Sequence, residues 1–132
     1  MLGSFLDSNI LIYIAAGDDA KMERSAELLH GDCVVSVQVL NEIANVLRRK
    51  RKLPWERVRD FLSTVEQLAV VMPLDVDCHK IGMNVAERYG FSIYDSMIVA
   101  SALQAGCNIL YSEDMQHGQS IDGLLTIVNP YL

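Results

Sequence analysis

The sequence predicts an α/β fold in which helices flank a central, mostly parallel sheet of about five strands. Short apolar segments rich in β-branched residues recur along the chain, and segments with helical spacing of apolar residues lie between them. In addition, 51% of the 132 residues are hydrophobic and 21% are charged. A chain of this length can bury a hydrophobic core without disulfides. We therefore expect residues 1–132 to form a single domain.

Each predicted strand is a short apolar segment followed by a residue that favours a turn or a helix start. The first, GSFLD, ends at Asp7, and the second, CVVSV, is rich in β-branched residues. Because helical segments separate successive strands, the strands are expected to run parallel. The predicted strands are residues 3–7, 33–37, 70–74, 108–112 and 124–130.

Helices are predicted where apolar residues repeat at i, i+3, i+4 and i+7. The clearest case is residues 39–52, whose apolar positions form one stripe. Pro54 ends this helix and opens the next, and Gly90 and Gly106 end the two later helices. The predicted helices are a short one from Ser8 to Ile14, residues 20–29, 39–52 and 54–69, one from Asp75 or Asp77 to Tyr89, and residues 92–106.

Cysteine usage and hydropathy indicate a cytoplasmic protein. The three cysteines are widely spaced and form no CxxC pair, so buried reduced thiols are expected rather than a disulfide framework or a zinc site. No apolar run approaches the ~20 residues that span a membrane. No basic residue precedes Lys21, and Asp7 interrupts the apolar N-terminal segment, which we therefore interpret as part of the fold and not as a signal peptide.

The formal net charge of −6 argues against a nucleic-acid partner, but the basic residues are unevenly distributed. Seven of the eleven lie between positions 48 and 59, beginning with the run RRKRK. This run is either a candidate RNA-backbone contact or a solvated helix end that suits the helix dipole. Its residues are Arg48, Arg49, Lys50, Arg51 and Lys52.

Four acidic residues are expected near the carboxyl ends of the strands, where ligands bind in a parallel sheet. Asp7 and Asp114 follow the first and fourth strands, Asp95 lies in the first turn of a helix, and Glu42 lies in the helix after the second strand. Singly, each acid has a structural explanation as a cap, a turn residue or part of a polar face. Together they predict an oxygen-only site for Mg²⁺ or Mn²⁺, because clustered carboxylates repel one another unless a cation balances them.

One or two such ions would supply the chemistry of phosphodiester hydrolysis. A pair of divalent ions ~4 Å apart can stabilise the attacking and leaving oxygens of an in-line displacement. Two ions would also reduce the formal net charge from −6 to −2, which lowers the repulsion of an anionic substrate. Nucleases and phosphatases both use this chemistry.

The ordered segments FLDSNILIY, NEIANVL, SIYDSMIVASALQAGCNILYSED and IVNPY resemble the PIN domain family of metal-dependent ribonucleases. Within that family they are most similar to VapC-type toxins of toxin–antitoxin pairs. The resemblance covers nearly the whole chain and implies a three-layer PIN-like fold. It also implies that Asp7, Asp95 and Asp114 hold Mg²⁺ or Mn²⁺, and that Glu42 is a ligand or orients the attacking water. All four acids are then catalytic.

The resemblance also assigns supporting residues. Ser8, Asn9 and Ser112 are expected to orient carboxylates or water and not to act as nucleophiles. Some family members carry a further acid where this chain has Gln116, which weakens the prediction of a second ion. Glu113 is the nearest substitute for that acid.

Three further residues have side chains that could take part in RNA binding or catalysis. His117 lies three residues beyond Asp114, and a lone loop histidine is expected to be merely exposed. Trp55 and Tyr94 have side chains that can stack on RNA bases. Core packing is the expectation for both.

The function implied is an endoribonuclease that is a toxin with a cognate antitoxin protein and forms a homodimer, which would account for the apolar composition. A non-catalytic PIN-fold module that binds RNA or protein is the alternative. A DNA-directed or phosphatase activity would use the same metal site, and the sequence does not separate it from ribonuclease activity. A receiver-like regulatory domain ranks lower, because it needs a lysine at a late strand end and no lysine follows Lys80.

Overall fold

The computed structural model describes residues 3–132, apart from the side chain of Asp19. Within them the chain forms a six-stranded sheet in the order β3-β2-β1-β4-β6-β5. The first two residues of the predicted domain lie outside the described part. The strands are β1 (Ser4–Leu6), β2 (Cys33–Ser36), β3 (Val70–Met72), β4 (Ile109–Tyr111), β5 (Ser120–Ile121) and β6 (Leu125–Val128).

Helices connect the strands and flank the sheet, as expected for parallel strands joined by crossovers. Pairing is parallel between β1 and both of its neighbours, between β2 and β3, and between β4 and β6. The helices are α1 (Ser8–Ala16), α2 (Asp19–Leu29), α3 (Val37–Arg49), α4 (Trp55–Leu68), α5 (Val76–Tyr89) and α6 (Ile93–Gln104).

The predicted α/β class and mostly parallel sheet are confirmed, and each of the five predicted strands forms. The sequence analysis missed β5, a two-residue strand that pairs antiparallel with β6. A left-handed turn at Asp122 and Gly123, with φ of 54° and 68°, joins the two strands. Two residues are too few to show the alternation by which a strand is predicted.

The prediction that one helix spans residues 39–52 was wrong at both ends. The α3 helix begins at Val37, because the Ser36 hydroxyl caps it by accepting a hydrogen bond from the Val39 N–H at 3.3 Å. It ends at Arg49, so Lys50, Arg51 and Lys52 follow the helix. Lys52 adopts a left-handed conformation with φ of 55°, and Pro54 caps α4 from outside the helix.

The core lies around β1 and its two parallel neighbours. Phe5 and Leu6 of β1 are fully buried, as are Val34 of β2 and Leu110 of β4. Because β1 lies between β2 and β4, the residues that follow these three strands meet at one edge of the sheet. Asp7 is anchored at this edge by a hydrogen bond from its N–H to the Tyr111 carbonyl at 3.0 Å.

The three cysteines are free and buried, as the sequence analysis predicted. In the part of the chain that the structure describes, none of the helices has the length and hydropathy needed to cross a membrane.

Gly3 directly precedes β1 and lies against Asp32, the residue directly before β2. A Cβ atom there would lie 1.7 Å from the Asp32 carbonyl oxygen, which accepts the N–H of Ser4. We expect Gly3→Ala to lower the free energy of unfolding by about 2 kcal/mol or more, because the backbones would have to separate.

Gly31→Ala is the matched control, since its added Cβ would make only ordinary contact at 3.6 Å. That variant should unfold within ~0.5 kcal/mol of wild type. Urea denaturation of the three proteins measures both effects, and equal stability of all three would contradict the close approach of the strands.

Candidate active site

Asp7 is the buried centre of the edge where the strands end, with 3% of its surface exposed. It caps α1 and accepts the Ser8 N–H at 2.7 Å on one carboxylate oxygen. The other oxygen accepts the Ser112 hydroxyl at 2.8 Å and the Asn9 side-chain amide at 3.2 Å. The structural explanation of Asp7 as a helix cap is therefore correct, and it is compatible with a place in the site.

The environment of Asp7 disfavours its ionised form. Burial is the main cause that raises the pKa of its carboxyl group, to about 7. Hydrogen bonds from Ser112 and Ser8 act in the opposite direction, while the nearby charges of Glu42 and Asp95 raise the pKa further. Near neutral pH, a bound proton or a nearby cation would therefore stabilise this carboxylate.

Glu42 is joined to Asp7 through Ser8. The Ser8 hydroxyl donates to Glu42 Oε1 at 2.7 Å and lies 3.4 Å from Asp7 Oδ1. Glu42 Oε2 accepts the Gln38 side-chain amide at 2.9 Å, one turn earlier on α3. The glutamate thus points from α3 towards the end of β1, as its place beside the apolar stripe suggested.

Asp114 is joined to Asp7 through Asn9. The Asn9 side-chain amide donates to Asp114 Oδ2 at 3.1 Å as well as to Asp7. The carbonyl oxygen of the same side chain accepts the Glu113 N–H at 3.2 Å, which fixes the loop after β4 to α1. Ser8 and Asn9 therefore orient carboxylates on both sides of Asp7.

Asp95 approaches the same group from the first turn of α6. Ser92 caps this helix, because its hydroxyl oxygen accepts the Asp95 N–H at 3.2 Å. Partial burial raises the pKa of the Asp95 carboxyl group, and the charges of Glu42 and Asp114 add to that increase. The structure thus brings the four predicted acids together: the charge of Asp95 acts on Asp7, those of Glu42 and Asp114 act on Asp95, and Ser8 and Asn9 join Glu42 and Asp114 to Asp7.

The four acids have no basic partner among residues 3–132. No three Asp, Glu, His or Cys side chains in that range stand close enough together to hold one ion directly. Magnesium commonly keeps several waters while binding one or two carboxylates. The uncompensated, oxygen-only set therefore fits a hard divalent ion held partly through water. The ion pairs that form in this range are Lys21–Glu113, Arg24–Glu27 and Arg88–Asp122.

Glu113 is engaged elsewhere and does not join the four acids. Lys21 Nζ and the Tyr13 hydroxyl each donate to its carboxylate at 2.5 Å. The Lys21 ammonium also lies 4.6 Å from the Tyr13 ring centre and 5.2 Å from that of Tyr131. Burial alone would raise the pKa of the Glu113 carboxyl group, but the hydrogen bonds from Lys21 and Tyr13 bring it below its ordinary value.

An open cavity of about 630 Å³ lies beside the acids. Glu42 and Asp114 face it together with Lys50 and Arg51, so two residues of the basic run stand beside the carboxylates. The other residues that line it are Ser8, Asn9, Ile12, Tyr13, Asn45 and Val46.

The remaining residues of interest fall outside this cavity. His117 is exposed, as expected, and its Nδ1 accepts the Asn129 N–H at 2.9 Å, which is a structural contact. The expectation that Trp55 and Tyr94 pack in the core was wrong, since their exposed fractions are 56% and 67%. Both lie in the first turn of a helix.

A model of the PIN domain matches residues 4–119 of the chain. The chain belongs to the PIN domain family. The acids described above follow β1, lie on α3 and α6, and follow β4, and all four fall within the matched range. The comparison with curated protein sequences found no significant match.

Solved structures share the PIN fold at low sequence identity. A toxin–antitoxin complex from Klebsiella pneumoniae matches with a TM-score of 0.74 and 20% identity, covering 97% of this chain and 98% of that one. DNA-bound VapBC from Salmonella typhimurium matches with a TM-score of 0.68 and 21% identity, covering 96% and 97%. VapC20 of Mycobacterium tuberculosis, described as a sarcin–ricin loop cleaving toxin, matches with a TM-score of 0.68 and 17% identity, covering 84% and 89%.

The raised pKa of Asp7 predicts a stability that increases on mild acidification when EDTA removes metal ions. Between the ordinary pKa of 3.8 and about 7, the folded chain takes up a proton at Asp7 that the unfolded chain does not. The free energy of unfolding should therefore rise as the pH falls through this range, by at most ~1.4 kcal/mol per pH unit from this group.

Urea denaturation across the pH range compares wild type with Asp7→Asn, which removes the titration. The pKa of Asp95 is raised as well, so Asp95 contributes to the pH dependence of both proteins. The difference between their two slopes of unfolding free energy against pH therefore isolates the contribution of Asp7. Identical slopes would contradict the buried, uncompensated state of the Asp7 carboxylate.

Lys21 is predicted to stabilise the loop that carries Ser112 and Asp114, since it holds Glu113 from a position 92 residues away. Because the pair is partly exposed, Lys21→Met should lower the free energy of unfolding only modestly, but by more than Arg24→Met does. Arg24→Met removes the more exposed pair with Glu27 and should cost under ~0.5 kcal/mol. Thermal or urea unfolding measures both, and an equal or reversed order would contradict the role of Lys21.

Proposed function

We propose that this PIN domain protein is a metal-dependent endoribonuclease and the toxin of a toxin–antitoxin pair. The observation that carries the proposal is the buried Asp7 carboxylate beside three other acids, with no basic partner among residues 3–132. Such a group favours divalent cations, and Lys50 and Arg51 line the adjoining cavity where an anionic strand would lie.

In the proposed reaction, Asp7, Asp95 and Asp114 would hold Mg²⁺ or Mn²⁺, directly or through water. Such an ion would lower the pKa of a bound water and offset charge on the scissile phosphate. Glu42 would be a further ligand or would orient the attacking water. Ser8, Asn9 and Ser112 keep the carboxylates in place through the hydrogen bonds described above, and one ion is the minimum that the site requires.

The basic run has a divided role in the proposal. Lys50 and Arg51 bind the RNA backbone at the cavity. Arg48 instead packs on the Trp55 ring and donates to the Leu53 carbonyl at 2.8 Å. Contacts of Lys50 and Arg51 with RNA phosphates would release counterions, so the affinity for RNA should fall as the salt concentration rises.

The proposed partners are a cognate antitoxin and a second copy of the chain, in the cytoplasm. Two of the similar structures, from Klebsiella pneumoniae and Salmonella typhimurium, are toxin–antitoxin assemblies. Exposed apolar side chains around the starts of α5 and α6 support a protein contact. These are Leu74, Val76, Ile93 and Tyr94, which line a cavity of about 510 Å³.

A non-catalytic PIN-fold module that binds RNA or protein is the second candidate. It is favoured by one observation: within the described residues, Ser8 and Asn9 bridge the carboxylates, and no three acids form a direct ligand set. The two candidates differ in whether divalent ions turn RNA binding into cleavage.

Cleavage of a mixed RNA pool separates these candidates, with protein purified under denaturing conditions and refolded to remove any antitoxin. Mg²⁺ or Mn²⁺ should support cleavage and EDTA should abolish it. Asp95→Asn should reduce cleavage about 100-fold or more, because it weakens the metal site. Thermal unfolding checks that the variant is folded.

Asp60→Asn is the matched control, since Asp60 is an exposed acid on α4 and lines none of the cavities described above. It should cleave like wild type. Activity that survives EDTA and Asp95→Asn would contradict the proposed site, and absence of both cleavage and Mn²⁺ binding would favour the non-catalytic module.

A further inference from the structure

Trp55 is held on the surface by a neighbouring arginine. It is the only tryptophan of the chain, and it is the first residue of α4. The Arg48 guanidinium lies 4.4 Å from the centre of the indole ring and is fixed by its hydrogen bond to the Leu53 carbonyl. A large aromatic ring is thus positioned by a cation and still exposes 56% of its surface.

The surface beside Trp55 continues into the cavity at the acids. A second cavity, of about 330 Å³, is lined by Ala44, Asn45, Arg48, Arg49 and Trp55. Asn45 also lines the acidic cavity, so one residue separates the two. A ligand bound at the acids can therefore extend past Asn45 to the indole ring.

The spacing along α3 suits a nucleotide strand. Glu42, Asn45 and Arg49 lie at positions i, i+3 and i+7, which share one face of a helix. Seven residues of α-helix span ~10 Å, at about 1.5 Å per residue. That length corresponds to roughly three stacked nucleotides at ~3.4 Å each.

We propose that Trp55, with Arg48 and Arg49, is a base-stacking platform for a single-stranded nucleic acid whose scissile phosphate lies at the acids. The inference rests on the proposed function and deepens it by assigning residues that bind a base next to the acids. Aromatic rings stack on unpaired bases of any sequence, whereas the bases of a duplex are already stacked on one another.

The charges beside the ring favour a nucleic acid over a peptide. Arg49, Lys50 and Arg51 follow one another where α3 ends. Lys50 and Arg51 line the cavity at the acids, and Arg49 lines the cavity at Trp55. A strand that places a phosphate at Asp114 would thus meet basic residues next and the indole ring after them. An antitoxin segment on the same ring is the competing occupant, and the test below distinguishes it.

Intrinsic fluorescence gives a direct test, because all tryptophan emission comes from Trp55. Antitoxin-free protein in EDTA is titrated with a short single-stranded oligoribonucleotide and with the same sequence in a hairpin stem. We expect the single strand to quench the emission and to bind more tightly than the stem. EDTA removes the metal ions that the proposed cleavage requires, so this experiment measures binding alone. Failure of the stacking proposal and failure of the proposed nuclease activity can therefore be distinguished.

Anisotropy of the labelled oligoribonucleotide measures the affinity of the variants. Trp55→Ala should raise Kd about tenfold, and Trp55→Phe, which keeps a stacking ring, should recover most of the loss. Arg49→Ala should weaken binding more than Arg57→Ala, the matched control, because Arg57 is an exposed arginine on α4 that lines neither cavity.

Three results would overturn the proposal: no binding of the single strand, unchanged emission at saturating strand, or equal Kd for wild type and Trp55→Ala. If a purified cognate antitoxin quenches Trp55 while the RNA does not, the ring belongs to a protein contact.

Discussion

The Asp7 carboxylate is held at the buried end of β1 by the Ser8 N–H, the Asn9 side-chain amide and the hydroxyl group of Ser112. A buried carboxylate requires hydrogen-bond donors, a proton or a cation, and this requirement shapes the edge of the sheet. Ser8 also reaches Glu42 on α3, and the Ser112 hydroxyl accepts the Met115 N–H in the loop after β4. One carboxylate thus connects α1, α3 and the loop that carries Asp114.

These hydrogen bonds satisfy the oxygen atoms but leave the negative charge in place. The pKa of Asp7 stays raised to about 7 because burial outweighs the hydrogen bonds from the Ser112 hydroxyl and the Ser8 N–H, and the charges of Glu42 and Asp95 raise it further. A structural network alone would gain stability from a lysine or arginine at this point. Lys50 and Arg51 line the same cavity, but among the described residues they form no ion pair with these carboxylates.

Much of this arrangement could be predicted from the sequence, because a parallel sheet places the ends of its strands at one edge. Asp7 directly follows β1, Asp114 lies three residues beyond the end of β4, and Asp95 lies three residues after the cap Ser92, so their positions depend only on identifying those elements. Predicting the position of Glu42 also required knowing which face of α3 is buried, and the apolar stripe of that helix indicates this face. The roles of Ser8 and Asn9 were inferred from the family resemblance, and the structure shows the hydrogen bonds that would serve them.

Other features depend on contacts that no local pattern shows. Lys21 looks like a solvated residue of α2, and only the folded chain places it on Glu113, 92 residues away. The exposure of Trp55 could not be predicted, because the packing of α4 on α3 decides which side of its first turn faces water. The end of α3 at Arg49 was also missed, because the charged run that follows continues to resemble a helix in composition.

The central claim, that the four acids form a divalent metal site, is tested most directly by anomalous diffraction from crystals grown with Mn²⁺. The account predicts a manganese peak bounded by the carboxylates of Asp7, Asp95 and Asp114, and its loss in crystals of Asp7→Asn. A peak only at other acids, or no peak at Mn²⁺ concentrations that support RNA cleavage, would contradict it.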